Sequence, residues 1–469
     1  MGKRIQTPQA ASPENNAGDV GAHPPTRRCP PGRKPGPAPD YTEYGGQLHT
    51  LLNHCFPQMN RWLDALPDPR RQDLCVYKGR HLWWQILLTF LLRGGSRNAF
   101  DADRNSGQLP ENLLQLCAQE WDADYLGERR TVTCSENSTR QASRVPVVAV
   151  AKLPIAMLRR LMQMRLLDQS RLFDHWWRIA IDGTLQDRGR NTPNSEARYR
   201  YVVESKLIGP DGLVIALFTE FMDVNDPVRD KEDCELNAFQ RLAKRLHQEF
   251  PRLPICLLMD GLYPVQPVFD VCQTYGWKFI ITLKEGRQPT AWDEAVQTTL
   301  MNPANLFQCC RTGEHGPVAQ TLRWTDQVPF GEHTFQVLFN GEISPVAATL
   351  WCWVTNFNLT PKSVQAIANQ GGRARNDIET VFNVEKNDGF GLEHAFCANT
   401  TASQNLHLMM QVAHTLGQLL VIGVLRPLTR ACRKVTDLKL IELLRTSLLS
   451  IRIDPTRPAF GQLRFHSSA

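Results

Sequence analysis

Residues 371–386 read GGRARNDIETVFNVEK, and they concentrate the chemistry that the rest of the chain has to support. As a helix, this stretch places Arg375, Glu379, Phe382 and Lys386 at i, i+4, i+7 and i+11. At about 100° per residue those four fall within about 60° of one another. The face carries two cations, one carboxylate and one ring, an odd mixture for a core stripe. Gly371 and Gly372 are expected to break any helix before it, and Asn387, Asp388 and Gly389 to end it. A glutamate aimed in one direction between cations implies other acidic groups for it to meet.

Two acidic positions qualify, because each closes an apolar run. RIAID ends at Asp182 and PICLLMD ends at Asp260. Both runs are short and bounded by turn residues, the pattern of buried strands. Carboxylates at the ends of neighbouring central strands project from one sheet edge, so with Glu379 from a covering helix three acids can converge. Three oxygen-rich ligands suit Mg²⁺ or Mn²⁺ rather than zinc. Two such ions about 3.5–4 Å apart serve the attacking and leaving oxygens of phosphoryl transfer.

The surrounding elements predict an α/β fold. RIAID is a first strand; RYRYVVESKLIG and LVIALFTEFM follow, joined by Pro210-Asp211-Gly212, a hairpin signal. Residues 231–250 have the periodicity of an amphipathic helix, PICLLMD is a fourth strand, a helix follows near 267–275, and WKFIITL is a fifth strand. This is the order of a ribonuclease H-like fold: a mixed five-stranded sheet with flanking helices, Asp182 on the first strand and Asp260 just after the fourth.

The chain resembles the bacterial insertion-sequence DDE transposases of the branch marked by Tyr, two residues, Arg, three residues, Glu, six residues, Lys. Arg375, Glu379 and Lys386 match that pattern, and Gly372 stands at the tyrosine position. The resemblance spans about residues 145–420. It implies metal-dependent excision and insertion of the protein's own element by phosphodiester hydrolysis and strand transfer. Asp182, Asp260 and Glu379 would be catalytic and metal-binding, with Mg²⁺ or Mn²⁺, two ions, as cofactor. Arg375 and Lys386 would bind DNA. The partners would be the element's terminal inverted repeats and target DNA, with a homodimer to synapse two ends and no membrane. The family's β-rich insertion precedes the glutamate helix; residues 284–348 contain alternating runs that fit it, with Trp292 and Trp324 as candidates for base stacking.

The remaining chain divides as a Pro-rich basic tail over 1–40, a helical domain over 41–144, the catalytic domain over 145–425 and a basic tail over 426–469. The first tail holds nine prolines and five glycines and is expected to be disordered, with Arg27, Arg28, Arg33 and Lys34 open to DNA phosphates. The resemblance assigns end binding and dimerisation to the helical domain; the sequence shows no sharp helix-turn-helix. Residues 120–144 look like a linker, and Arg159, Arg160 and Arg165 follow on a helical stretch. Thirteen cysteines without a CxxC pair argue against a disulfide framework or zinc site and for a reducing, cytoplasmic setting. SQNLHLMMQVAHTLGQLLVIGVL reads as a core helix rather than a membrane span, its His407 and His414 as satisfied core or rim groups. The last 44 residues carry nine Lys/Arg against three Asp/Glu, which suits phosphate contact. Two alternatives stay open on the residues: a structure-specific nuclease on the same fold, and a transposase remnant that binds DNA without cutting.

Overall fold

In the computed structural model, which describes residues 38–117, 131–188, 199–223, 231–394, 396–430, 432, 435–457 and 465, the apolar runs around the two aspartates become adjacent parallel strands. The expected tail over 1–40 lies almost wholly outside the described residues. The strands are β1 (Arg171–Leu172), β2 (Trp176–Arg188), β3 (Tyr199–Ile208), β4 (Val214–Asp223), β5 (Ile255–Met259), β6 (Lys278–Thr282), β7 (Leu306–Gly313), β8 (Gly316–Phe330), β9 (His333–Ile343) and β10 (Ala348–Thr355). They form one sheet in the order β4-β3-β2-β5-β6-β10-β9-β8-β7, with β1 paired to β2. β2, β3 and β4 are antiparallel neighbours, β2, β5 and β6 run parallel, and the remaining strands return antiparallel.

The sheet therefore does not stop at five strands. β10 pairs with β6 through Trp353↔Thr282 to Thr355↔Ile280, so the edge that β6 would have left open is covered. β9, β8 and β7 then add to β10, and the 284–348 region continues the central sheet instead of standing apart. That region also opens with a helix, Pro289–Met301, which strand-like alternation did not announce.

Asp182 is not at a strand end. β2 runs on to Arg188 because Gly183 to Leu185 keep pairing with Val203 to Tyr201 of β3, whereas β5 stops at Met259, one residue before Asp260. The pleat sorts the two faces. Ala180, Cys256, Leu258 and Ile280 pack with Trp353, Ile378 and Phe382 beneath the glutamate helix, Asn376–Asn387. Ile179, Ile181, Leu257 and Met259 join a larger cluster with Phe239, Leu242 and Val268 of the Lys231–Glu249 and Gln266–Tyr275 helices.

Gly371 and Gly372 do not break the helix. Backbone of helical type runs from Val364 through wider and tighter turns into the glutamate helix. A Cβ on Gly371 would overlap Ile280 and one on Gly372 would overlap the Trp353 indole, so these two glycines let the helical segment lie directly on β6 and β10.

Of the expected linker, 120–130 lies outside the described residues, but Ser135–Ala142 is a helix with Ser138, Thr139 and Gln141 buried. Asp101 Oδ1 accepts from the Ser135 amide at 2.9 Å and fixes its start. Thr400–Leu420 is a helix that packs on both Gly79–Leu91 and β4. The stretch Thr400–Leu428 is long and apolar enough to cross a membrane by length and composition, and 89% of its apolar 18-residue window is buried inside the protein. Part of the expected basic tail folds back as the Asp437–Ser450 helix against Tyr44–Cys55, where Gly45 N donates to Ser447 Oγ at 3.0 Å. Arg426, Arg445 and Arg457 pair there with Asp437, Asp103 and Glu43.

Candidate active site

Asp182 sits on the face of β2 covered by the glutamate helix, and that helix brings Arg375 and Glu379 to it. Arg375 ends the tight turn Arg373–Arg375 and caps the helix, which begins at Asn376. Its guanidinium reaches Asp182 Oδ2 at 2.9 Å with one nitrogen and pairs with Glu379 Oε1 through another. Only 6% of the Arg375 side chain is exposed, against 38% for Glu379. As it stands, then, Arg375 is spent on the two carboxylates rather than offered to an external phosphate.

Burial pushes the Asp182 carboxyl up to about 7, with Arg375 opposing and the charges of Asp260 and Glu379 adding to the rise. The three acids thus feel one another electrostatically, and Arg375 is the cation that compensates two of them. Asp260, just past β5, holds the following turn by accepting from Leu262 N at 2.8 Å. Its other oxygen receives Lys284 Nζ at 3.3 Å. Lys284 follows β6 by two residues, and its stem lies over Gly261, where a Cβ would overlap it. Sequence reasoning did not single out Lys284, although a lysine just past the strand beside Asp260 was the available signal.

Two tyrosines near the acids were also missed. Next to Asp182, a Cβ on Gly183 would overlap the Tyr201 ring and hydroxyl. Burial raises the Tyr201 hydroxyl above its usual range, and its hydrogen bond to Glu235 adds to that. Tyr263 is 1% exposed, its hydroxyl raised by burial and then by Glu235, Asp182 and Asp260. Nothing in the local sequence marks these residues, because β3, the Lys231–Glu249 helix and the turn after β5 meet only in three dimensions.

The other expected site residues are placed as follows. Lys386 pairs with Glu393 at 3.2 Å and is partly exposed. Phe382 is buried, with Lys206 Nζ 5.3 Å from its ring centroid. Trp324 is buried at 4% exposure among Leu322, Leu338 and Trp353, so as placed it has no face free for a base. Trp292 is half-buried and meets Phe339 edge-on at 5.5 Å. Arg159 pairs with Glu249 at 2.6 Å, and Arg160 donates to the Cys55 carbonyl at 3.2 Å. His407 Nε2 and His414 Nδ1 meet acids that the sequence did not suggest, Glu204 at 2.6 Å and Glu385 at 2.8 Å, while His407 Nδ1 is buried without a hydrogen-bond partner.

Asp182, Asp260 and Glu379 have the donor chemistry of a hard divalent cation, all carboxylate oxygen and no thiol or imidazole. Among the described residues, no three His, Cys, Asp or Glu side chains are set closely enough to hold a metal ion together. Asp182 and Glu379 are paired to the Arg375 guanidinium, and Asp260 to Lys284.

No family model matches the chain, and no curated protein matches it. Among solved structures it is similar to one described as the Mos1 mariner paired end complex with Mn, at 12% identity and a TM-score of 0.16, over 50% of this chain and 72% of that one. A likeness of that size carries no argument about this chain, and the functional reading stands on its own residues.

Proposed function

We propose that the protein is a DNA transposase of the DDE type on a ribonuclease H-like core, acting on the ends of its own element. The observation that carries the reading is the gathering of Asp182 and Glu379 on one guanidinium, with Asp260 close enough to raise Asp182 further. A carboxyl raised to about 7 by burial, with two further acids and a specific cation beside it, is the kind of perturbed group that clusters at functional sites.

Asp182, Asp260 and Glu379 would have to draw closer than they stand here to hold Mg²⁺ or Mn²⁺ together, whose chemistry when bound is to polarise a phosphoryl oxygen and lower the pKa of water. The chain's own part is positional. Arg375 keeps the carboxylates of β2 and the glutamate helix facing one another. Lys284, 41% exposed on the Asp260 side, offers a cation to a DNA phosphate, and Lys386 offers another near the end of the helix. Two copies of the chain would synapse two ends.

The test is strand cleavage by purified protein on a plasmid carrying its own gene and flanks, with Mg²⁺ or Mn²⁺, beside Glu379→Gln. Cuts at two mirrored flank sequences, absent in the variant, would support a transposase. Scattered cuts that equally need Glu379 would make it a nuclease. Flank binding without cutting would sink the enzymatic reading.

A further inference from the structure

Beneath the glutamate helix lies a second charged cluster, wholly buried, that the acids of the site do not use. Lys206 on β3 is 1% exposed. Its Nζ meets Glu204 Oε2 at 2.7 Å, Glu385 Oε1 at 2.8 Å and Gln411 Oε1 at 2.6 Å. His407 Nε2 and Gln411 Nε2 lie 2.6 and 3.1 Å from Glu204 Oε1, and His414 Nδ1 lies 2.8 Å from Glu385 Oε1. The groups come from three elements: β3, the glutamate helix and the Thr400–Leu420 helix. Phe382 and Phe221 close the sides, over Lys206 and against His407. Despite burial, which disfavours its charge, the Glu385 carboxyl is held below the usual range by Lys206 and His414.

Such a cluster is poor value as stability. Taking a lysine and two glutamates out of water carries a large desolvation cost, and well-packed apolar residues of like volume often do as well or better. What buried ion pairs add is direction, since only one placement of the helix satisfies them. The placement matters here because Glu204 is the cross-strand partner of Asp182, and Lys206 that of Ala180. Directly opposed residues share a face. The glutamate helix is therefore tied to one patch of sheet at both ends, by Arg375 to Asp182 at its start and by Glu385 to Lys206 near its finish. Glu379 lies between the two ties.

We infer that the Lys206–Glu204–Glu385 cluster is a positioning device that sets the glutamate helix, and with it Glu379, against Asp182. It also carries that placement outward. Gln411, His407 and His414 belong to the helix that packs on Gly79–Leu91, so the N-terminal helices and Glu379 share one rigid connection. A backbone bond reinforces it, from Gly95 N after that N-terminal helix to Gly389 O after the glutamate helix, at 3.0 Å. That Glu379 is catalytic rests on the proposed function; that the cluster fixes its helix does not.

The test separates the two. A neutral cluster of similar volume, Lys206→Met with Glu204→Gln and Glu385→Gln, is compared with wild type in the full chain, with Glu385→Gln alone as the milder variant. Backbone hydrogen exchange over 376–387 is read in metal-free protein, beside Mn²⁺ affinity. The inference expects exchange over the glutamate helix to rise at least tenfold, with β2 and β5 unchanged, and Mn²⁺ affinity to fall in parallel. If the triple variant does not fold, Glu385→Gln must show the same localised increase. Unchanged protection over 376–387 in a folded variant, or an increase spread evenly over the sheet, overturns it. Faster helix exchange in a chain whose wild type binds no Mn²⁺ would keep the positioning role and refute the metal-dependent function.

Discussion

Replacing Asp182 with asparagine should make the metal-free protein more stable at alkaline pH. The carboxyl is moved from its ordinary 3.8 to about 7, chiefly by burial. Its folded-state pKa lies above the unfolded one, so the folded chain holds this proton more tightly. The contribution to stability is complete below about pH 4 and is lost as pH rises through about 7. At about 1.4 kcal/mol per tenfold change in proton affinity, ionising Asp182 in the folded state costs about 4 kcal/mol at most. The side chain is 18% exposed and Arg375 relaxes with it, so about 2–4 kcal/mol is the reasonable range. Asparagine copies the neutral acid and keeps an oxygen for Arg375. Urea unfolding with a chelator present, from pH 4 to pH 8, should give curves that coincide at the acid end. By pH 8 the variant should be ahead by that margin. A pH-independent difference, or a less stable variant at pH 8, would refute the claim that Asp182 is ionised at a cost to the fold.

Adding millimolar Mn²⁺ at pH 8 should raise the wild-type unfolding midpoint and leave Asp182→Asn unmoved; no shift in wild type would count against a metal site. Gly372→Ala should destabilise by about 1–3 kcal/mol in the same assay, because its Cβ would overlap the Trp353 indole, and a neutral result would contradict the close packing. Trp324→Ala should cost about 3–5 kcal/mol, whereas half-buried Trp292→Ala should cost clearly less. If instead Trp324→Ala kept stability and lost only DNA binding, its core placement would be refuted. Lys284→Ala should weaken flank binding across sequences and lower the salt dependence by about one phosphate contact, seen as a shallower slope of log affinity against log salt.

The strands were legible because their signals are local. RIAID and PICLLMD are short continuous apolar runs bounded by turn residues, and Pro210-Asp211-Gly212 makes a tight turn, Asp211 taking φ 54°. The amphipathic helices over 231–249 and 266–275 are legible for the same reason. Where β2 ends was not, because strand length depends on a partner, and β3 goes on pairing past Asp182. Nor was the ten-stranded extent of the sheet, since β10 reaches β6 across a separation of some seventy residues. Gly371 and Gly372 carried two meanings that composition cannot tell apart, a break or a close approach; Ile280 and Trp353 decide for the second.

By itself, the sequence determined which residues carry charge and where the central strands and their flanking helices lie, because both depend on side-chain chemistry and near-neighbour periodicity. Only the tertiary structure decided what each charge meets. It turned Arg375 inward between Asp182 and Glu379, put Lys284 on Asp260, and joined Glu385, His407 and His414 in one buried network with Lys206. Electrostatic partnership is a matter of a few ångströms in space, and those ångströms are set by which strands and helices happen to lie side by side.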